Sequence, residues 1–266
     1  MRQKTPFQPA KRSKPVDFGG TSVIICPMEY VVILLGCAVG CALNMVCGFG
    51  FGVFCMMFMP YVMGSTVQAA AMINIITFVQ STYLAIRYRE HIKWKLFLVP
   101  LAAYFVTSFL AVRLSAGLDN GTMKRILGGF LVALSVYFIF IARRVKLRAS
   151  TRNGLIAGGI GGVMSGMFAT GGPPASLYFS ATTETKEDYL ATIQGYFMFT
   201  NFYVVILRAA NGVVNKNVLL CTAVGFGGLI LGNFLGNYIF KRIDIDFIRK
   251  AIYVMMAVSG AVMLLT

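Results

Sequence analysis

Eight long apolar runs, residues 30–47, 67–86, 95–115, 123–142, 153–169, 189–207, 217–239 and 248–266, occupy almost the whole chain. Each is roughly 17–25 residues long, the length that crosses a hydrocarbon core about 30 Å thick as a helix. Lipid offers the backbone no hydrogen-bond partner, so a spanning segment must be a helix or part of a closed barrel. These runs lack strict alternation and are too long for membrane strands. The expected fold is therefore an all-α polytopic membrane protein with about eight transmembrane helices. With 58% of its 266 residues hydrophobic and 12% charged, the chain has little polar surface for a soluble body.

The formal net charge of +15 would suit nucleic acid if the cations shared one face. Instead Lys and Arg gather in short connectors: Arg2 to Lys14, Arg87 to Lys95 and Arg143 to Arg152. That is the pattern of cytoplasmic loops between membrane helices. It is not the continuous basic groove that tracks phosphates, so nucleic acid is set aside as a partner. Residues 1–28, basic and proline-containing, are expected to be a disordered, uncleaved cytoplasmic tail. Two halves, 29–142 and 153–266, follow, joined by a basic cytoplasmic linker at 143–152. Eight spans place both termini and the connector 208–216 in the cytoplasm, with 116–122 and 241–247 outside. Lys241, Arg242, Arg249 and Lys250 fit poorly there, being only partly offset by Asp244 and Asp246.

The two halves repeat each other. Gly36, Gly40 and Gly50 of GCAVGCALNMVCGFGFG match Gly158, Gly162 and Gly172 of GGIGGVMSGMFATGGPP; further on, Arg87 matches Arg208 and Asp119 matches Asp244. Four spans in each half, an even number, make the repeats parallel. In each half a glycine-rich knot, 48–52 or 170–174, precedes an apolar piece too short to span, 51–63 or 173–182. Each repeat thus carries a glycine-broken helix and a short half-helix. Interrupted segments at corresponding positions of two repeats point to a transport site between them.

In ATGGPPAS, Gly171 and Gly172 can leave helical angles at little steric cost, and Pro173 or Pro174 suits the first position of a new helix. The new N-terminus carries free N–H groups and a partial positive charge. Inside a membrane it could hold an anion without a buried Lys or Arg. The candidate substrate-binding residues are Thr170, Gly171, Gly172 and Pro173 at the second break and Gly48, Gly50 and Gly52 at the first. Asn74, Gln80, Gln194 and Asn201 are the side chains chosen beside them. Asn44, Gln68, Thr77, Ser165 and Thr200, also within spans, either tie helices together or line a path. The 36/40 and 158/162 glycines fit close helix packing. Arg87 and Arg208 are expected to snorkel from cytoplasmic helix ends.

No Asp or Glu falls at mid-span, which disfavours a carrier of metal cations, whose ligands are oxygens. No metal site and no cofactor are expected. Five of the six cysteines, Cys26, Cys37, Cys41, Cys47 and Cys55, lie close together without histidine or carboxylate partners and read as packing thiols. Ser165 has no base within view, the lone histidine being His91 in a basic loop. The chain is therefore not expected to be an enzyme.

The two knots, the duplicated order of spans and the strings SGMFATGGPPA, GGPPASLYF and GFGGLILGNFLGNYI resemble the TauE/SafE family of membrane permeases. So does STVQAAAMINIITFVQSTYLAIRYREHIKW, with its basic loop and following tryptophan. The likeness covers roughly residues 30–266. It implies movement of a sulfur-containing anion such as sulfite or an organosulfonate across a bacterial-type cytoplasmic membrane. GFGFG departs from the family's run of glycines, so Phe49 and Phe51 are expected to narrow the first-half site. The partners called for are a small anionic substrate and the lipid bilayer, with a homodimer allowed. An anion channel, a carrier of another small solute, and a scaffold or sensor that transports nothing are the competing readings.

Overall fold

The computed structural model describes residues 27–137, 139, 150–239 and 245–265. The expected tail, 1–28, and linker, 143–152, lie almost wholly outside the described residues. The described chain is built of helices: α1 (Pro27–Cys47), α2 (Phe51–Met56), α3 (Met59–Val62), α4 (Thr66–Arg87), α5 (Trp94–Ala116), α6 (Asn120–Val136), α7 (Thr151–Phe168), α8 (Gly172–Thr182), α9 (Lys186–Ala210), α10 (Lys216–Ile239) and α11 (Ile245–Leu265), with a 3-10 turn at Arg89–His91. Five of these, α1, α4, α5, α9 and α10, are long and apolar enough to cross a membrane. The runs assigned to α6, α7 and α11 are shorter or begin with polar residues.

Local sequence explains where the helices start. Ser65, Asp119 and Thr185 cap α4, α6 and α9, their side chains accepting from the N–H of Gln68, Thr122 and Asp188. Large apolar side chains such as Leu35, Leu98, Leu110, Ile230 and Phe234 stay exposed on the outer helices, as a lipid-facing surface requires.

Glycine stripes set the closest helix pairs. Along α7, Gly158, Gly162 and Gly166 lie against Pro100, Tyr104 and Ser108 of α5; a Cβ on any of them would meet α5 backbone. Along α10, Gly228 and Gly232 press on Leu34, Cys37, Ala38 and Cys41 of α1 in the same way. Small residues every fourth position let helix backbones approach, which is how helices associate where hydrophobicity gives no drive. Gly36 and Gly40 do likewise, receiving Phe58 and Phe51 from the returning α2–α3 segment. The packing roles expected for 36/40 and 158/162 and for Cys37 and Cys41 match these contacts. The other large pairings are α4 with α9 and α6 with α11.

These contacts also fix direction. Thr66 and Asn120 share a hydrogen bond at one end of the bundle, and His91, Lys93 and Asp188 meet at the other. From the Thr66 end, α1, α4, α6 and α10 run toward the Asp188 end, and α5, α7, α9 and α11 run back. The α2–α3 segment returns alongside α1, and α8 returns alongside α7. The return segments are passes in their own right, so five passes, not four, separate the start of α1 from the start of α7. An odd number reverses the second half, and α1 and α7 run in opposite directions. The expectation of parallel halves is corrected for that reason. Pro27 and Leu265 accordingly lie at the end opposite the 88–93 connector and Thr151, so the termini of the helical body and the basic connectors do not share a face. The connector 211–215 lies with the termini, and Ile245 begins α11 at the basic end.

Candidate functional site

The two breaks meet. Phe49 packs on Gly172, and the Cα of Gly52 faces the Ala169 carbonyl so closely that a Cβ there would overlap its oxygen. Between them is a cavity of about 30 Å³, with room for a solute of only a few heavy atoms. From the breaks it is lined by Phe49–Val53 and Ala169–Gly172; the surrounding helices add Asn44, Thr77, Tyr104, Ser165, Phe197, Thr200 and Asn201.

The breaks are made differently. In the first, Gly48 (φ 78°) and Gly50 (φ 120°) hold left-handed angles that favour glycine. In the second, the left-handed residue is Ala169 (φ 56°), which closes α7 with its N–H bonded to the Ser165 carbonyl. Gly171, at φ −69°, and Gly172, in the first turn of α8, hold no such angles. Their missing Cβ makes room instead: one on Gly171 would meet the Gly161 carbonyl at 2.5 Å and one on Gly172 would meet Phe49 at 3.0 Å. Backbone freedom at Gly171 and Gly172, the reason read from the sequence, is thus corrected to close packing.

The helices that begin at the breaks are also unequal. Eleven-residue α8 starts with prolines in its first turn, so Pro173 and Pro174 have no N–H to offer. The N–H groups of Gly171 and Gly172 carry no hydrogen bond among the described residues. Thr170 does not join them: its N–H and hydroxyl both reach the Met164 carbonyl, at 3.5 and 3.4 Å. On the other side, α2 has only six residues, too few to align many peptide dipoles. The first break is therefore no mirror of the second as an anion donor, and Phe49 and Phe51 make it the apolar wall of the cavity.

Of the residues chosen from the sequence, Gly50, Gly52, Thr170, Gly171, Gly172 and Asn201 line the cavity. Pro173 faces a separate apolar groove of about 350 Å³ between α6, α7 and α8. Asn74, Gln80, Gln194 and Gly48 form a supporting layer. Asn74 donates to Asn201 at 2.8 Å. Gln80 accepts from Asn44 at 2.9 Å and donates to the Cys41 carbonyl at 2.8 Å. Gln194 donates to the Gly48 carbonyl at 3.1 Å, and the Tyr189 hydroxyl donates to that of Cys47. Neutral donors thus satisfy the carbonyl end of α1.

Two side chains at the site went unread in the sequence. Tyr104, 2% exposed, lines the cavity, its hydroxyl beside those of Ser165 and Thr200 but without a hydrogen bond of good geometry to either. A lone phenol amid the apolar run of α5 was the available signal. Arg208 is the largest fully buried side chain. Its Nη2 donates to the Ser165, Gly166 and Met167 carbonyls at 3.5, 2.8 and 3.3 Å, and its Nε to Asn74 at 3.1 Å. The expectation that it snorkels to the headgroups is overturned: the last carbonyls of α7 hold it inside. Arg87, matched to it in sequence, is exposed beside Tyr83, as a helix-end arginine should be.

Apolar helices enclosing a small polar cavity at a pair of helix breaks are the construction of a membrane permease. The chain belongs to the sulfite exporter TauE/SafE family, whose model matches residues 32–263. Comparison with curated proteins and with solved structures gave no match. Membership makes this a membrane-embedded transport protein of a sulfite-exporter family.

Proposed function

We propose that the protein is a permease for a small sulfur-containing anion, such as sulfite or an organosulfonate, and that the cavity between the breaks is its transport site. The observation that carries this reading is the start of α8. Free N–H groups of Gly171 and Gly172 at a helix N-terminus border a small cavity lined also by the buried Tyr104, whose hydroxyl makes no hydrogen bond there. Donors without acceptors at the positive end of a helix favour an anion. The Thr200 and Asn201 side chains complete a polar wall, and Phe49, Phe51 and Phe197 exclude larger solutes.

The opposed directions of α1 and α7 fit two inverted repeats, in which α1 pairs with α10 as α7 pairs with α5, and α4 with α9 on the pseudo-twofold. With the basic connectors 87–95 and 143–152 taken as cytoplasmic, Pro27 and Leu265 face outward. Arg249 and Lys250, in the first turns of α11, then lie toward the cytoplasmic side, whereas the basic run Arg2 to Lys14 precedes a helix that starts outside, against the expectation of a cytoplasmic tail.

The test is flux into proteoliposomes across sulfite, sulfate, thiosulfate, methanesulfonate, acetate and a neutral solute. Sulfite or a sulfonate should move, and Tyr104→Phe should raise the KM for it by roughly tenfold, the loss of one hydrogen bond to a charged group. Transport of the neutral solute with no anion movement would sink the proposal.

A further inference from the structure

A helix break brings opposite poles to one place. The carbonyl end of α7 carries partial negative charge and the N–H end of α8 partial positive charge. They lie within a few residues of each other, across Ala169 to Gly171. Left alone the two would cancel, and the cavity would favour neither sign of ion. At this break they are not left alone, because Arg208 takes the carbonyls of Ser165, Gly166 and Met167. Its guanidinium is always protonated. It is fully buried, and no ion pair joins it to a carboxylate among the described residues. The first break has nothing comparable, its carbonyl end being met by Gln80, Tyr189 and Gln194.

We propose that Arg208 sets the sign of the cavity, silencing the carbonyl end of α7 and supplying an uncompensated positive charge that makes the site selective for small oxyanions over neutral isosteres. It is a positioning residue: it does not line the cavity. It reaches the wall through Ser165, and through Asn74, which bonds both Arg208 and Asn201. The second, independent sign of a ligand here is the unpartnered Tyr104 hydroxyl, which Arg208 leaves unbonded. The role rests on the cavity being the transport site.

The experiment compares Asn74→Asp and Arg208→Lys in the full-length protein, with binding of sulfite and of methanesulfonate measured after folding is confirmed by a cooperative melt. Asn74→Asp keeps the partner of the Arg208 Nε and strengthens it into an ion pair, but cancels the charge; it also removes the donor to the Asn201 Oδ1, so Asn74→Leu, which loses that donor without adding charge, is measured beside it. Arg208→Lys keeps the charge and loses the fan of carbonyl contacts. If Arg208 only holds α7 in place, Asn74→Asp binds anions no worse than Asn74→Leu and Arg208→Lys is the weaker variant. If Arg208 sets the sign, the order reverses: Asn74→Asp loses on the order of tenfold in anion affinity beyond Asn74→Leu, as loss of a net unit charge in a site of effective dielectric about 20 would give, and Arg208→Lys stays closer to wild type. A folded Asn74→Asp with wild-type affinity overturns the role while leaving the transport site standing. Wild-type protein that binds neither anion overturns the site and the role together.

Discussion

Gly52→Ala tests the junction of the breaks most directly. A Cβ at Gly52 overlaps the Ala169 carbonyl oxygen and sits 3.1 Å from its carbon. An ordinary carbon–oxygen approach is about 3.3–3.6 Å, so the two segments would have to part by about an ångström or more. Neither can give way by rotating a side chain, because both contacts are backbone. Gly52 is in the first turn of α2, and Ala169 holds the left-handed cap of α7. Overpacking a well-filled site costs about 1–3 kcal/mol, and backbone against backbone places this one near 3 kcal/mol. That is a large share of the roughly 5–15 kcal/mol that holds a folded domain. Denaturant titration of the purified protein in detergent should show the loss, and sulfite flux should fall with it because the cavity wall is displaced. Gly129→Ala is the control: its Cβ would meet nothing nearer than Leu264 at 3.8 Å, and alanine within a helix is favoured by up to about 1 kcal/mol. If Gly52→Ala matches wild type in both stability and flux, the breaks do not meet as described.

Two further outcomes follow from local geometry. Ala169→Gly should stabilise the protein by about 0.5–1 kcal/mol, since a left-handed alanine costs about 1–2 kcal/mol and the partly buried methyl lost contributes up to about 0.8; destabilisation in the same titration would contradict the strain at φ 56°. Asp119 caps α6, and the Thr122 hydroxyl and then the Thr122 N–H hold its carboxyl below the usual range. Its stabilisation is therefore complete above the ordinary carboxylate pKa near 4 and is lost as pH falls through the lower folded value. Asp119→Asn keeps a neutral cap, so the stability gap between wild type and variant should be constant above about pH 5 and shrink on acidification. A gap independent of pH would rule out the charged cap.

Much of the fold was legible because it is written in local chemistry. Apolar length announced α1, α4, α5, α9 and α10, and the Gly-Gly-Pro-Pro string announced the start of α8. The return of α2–α3 was visible as a short piece but was not counted as a pass, and that single omission reversed the inferred orientation of the second half. Legibility failed in a similar way for Gly171 and Gly172. Composition says that a glycine is needed, but not whether for its angles or for the space a neighbour takes.

What the sequence by itself determined is the medium and the punctuation: helices that lipid obliges to satisfy their own backbone, and breaks where glycine and proline forbid them to continue. Both depend on residues within a turn or two of each other. What only the tertiary structure decided is which ends meet. Arg87 and Arg208 occupy matching places in the repeat, yet one is exposed and the other is wholly buried. The difference lies in the partners that folding brings from far along the chain: three carbonyls of α7 about forty residues before Arg208, and Asn74 of α4, 134 residues away. A cation stays out of water only where enough acceptors surround it. No pattern within α9 records that those acceptors will be there.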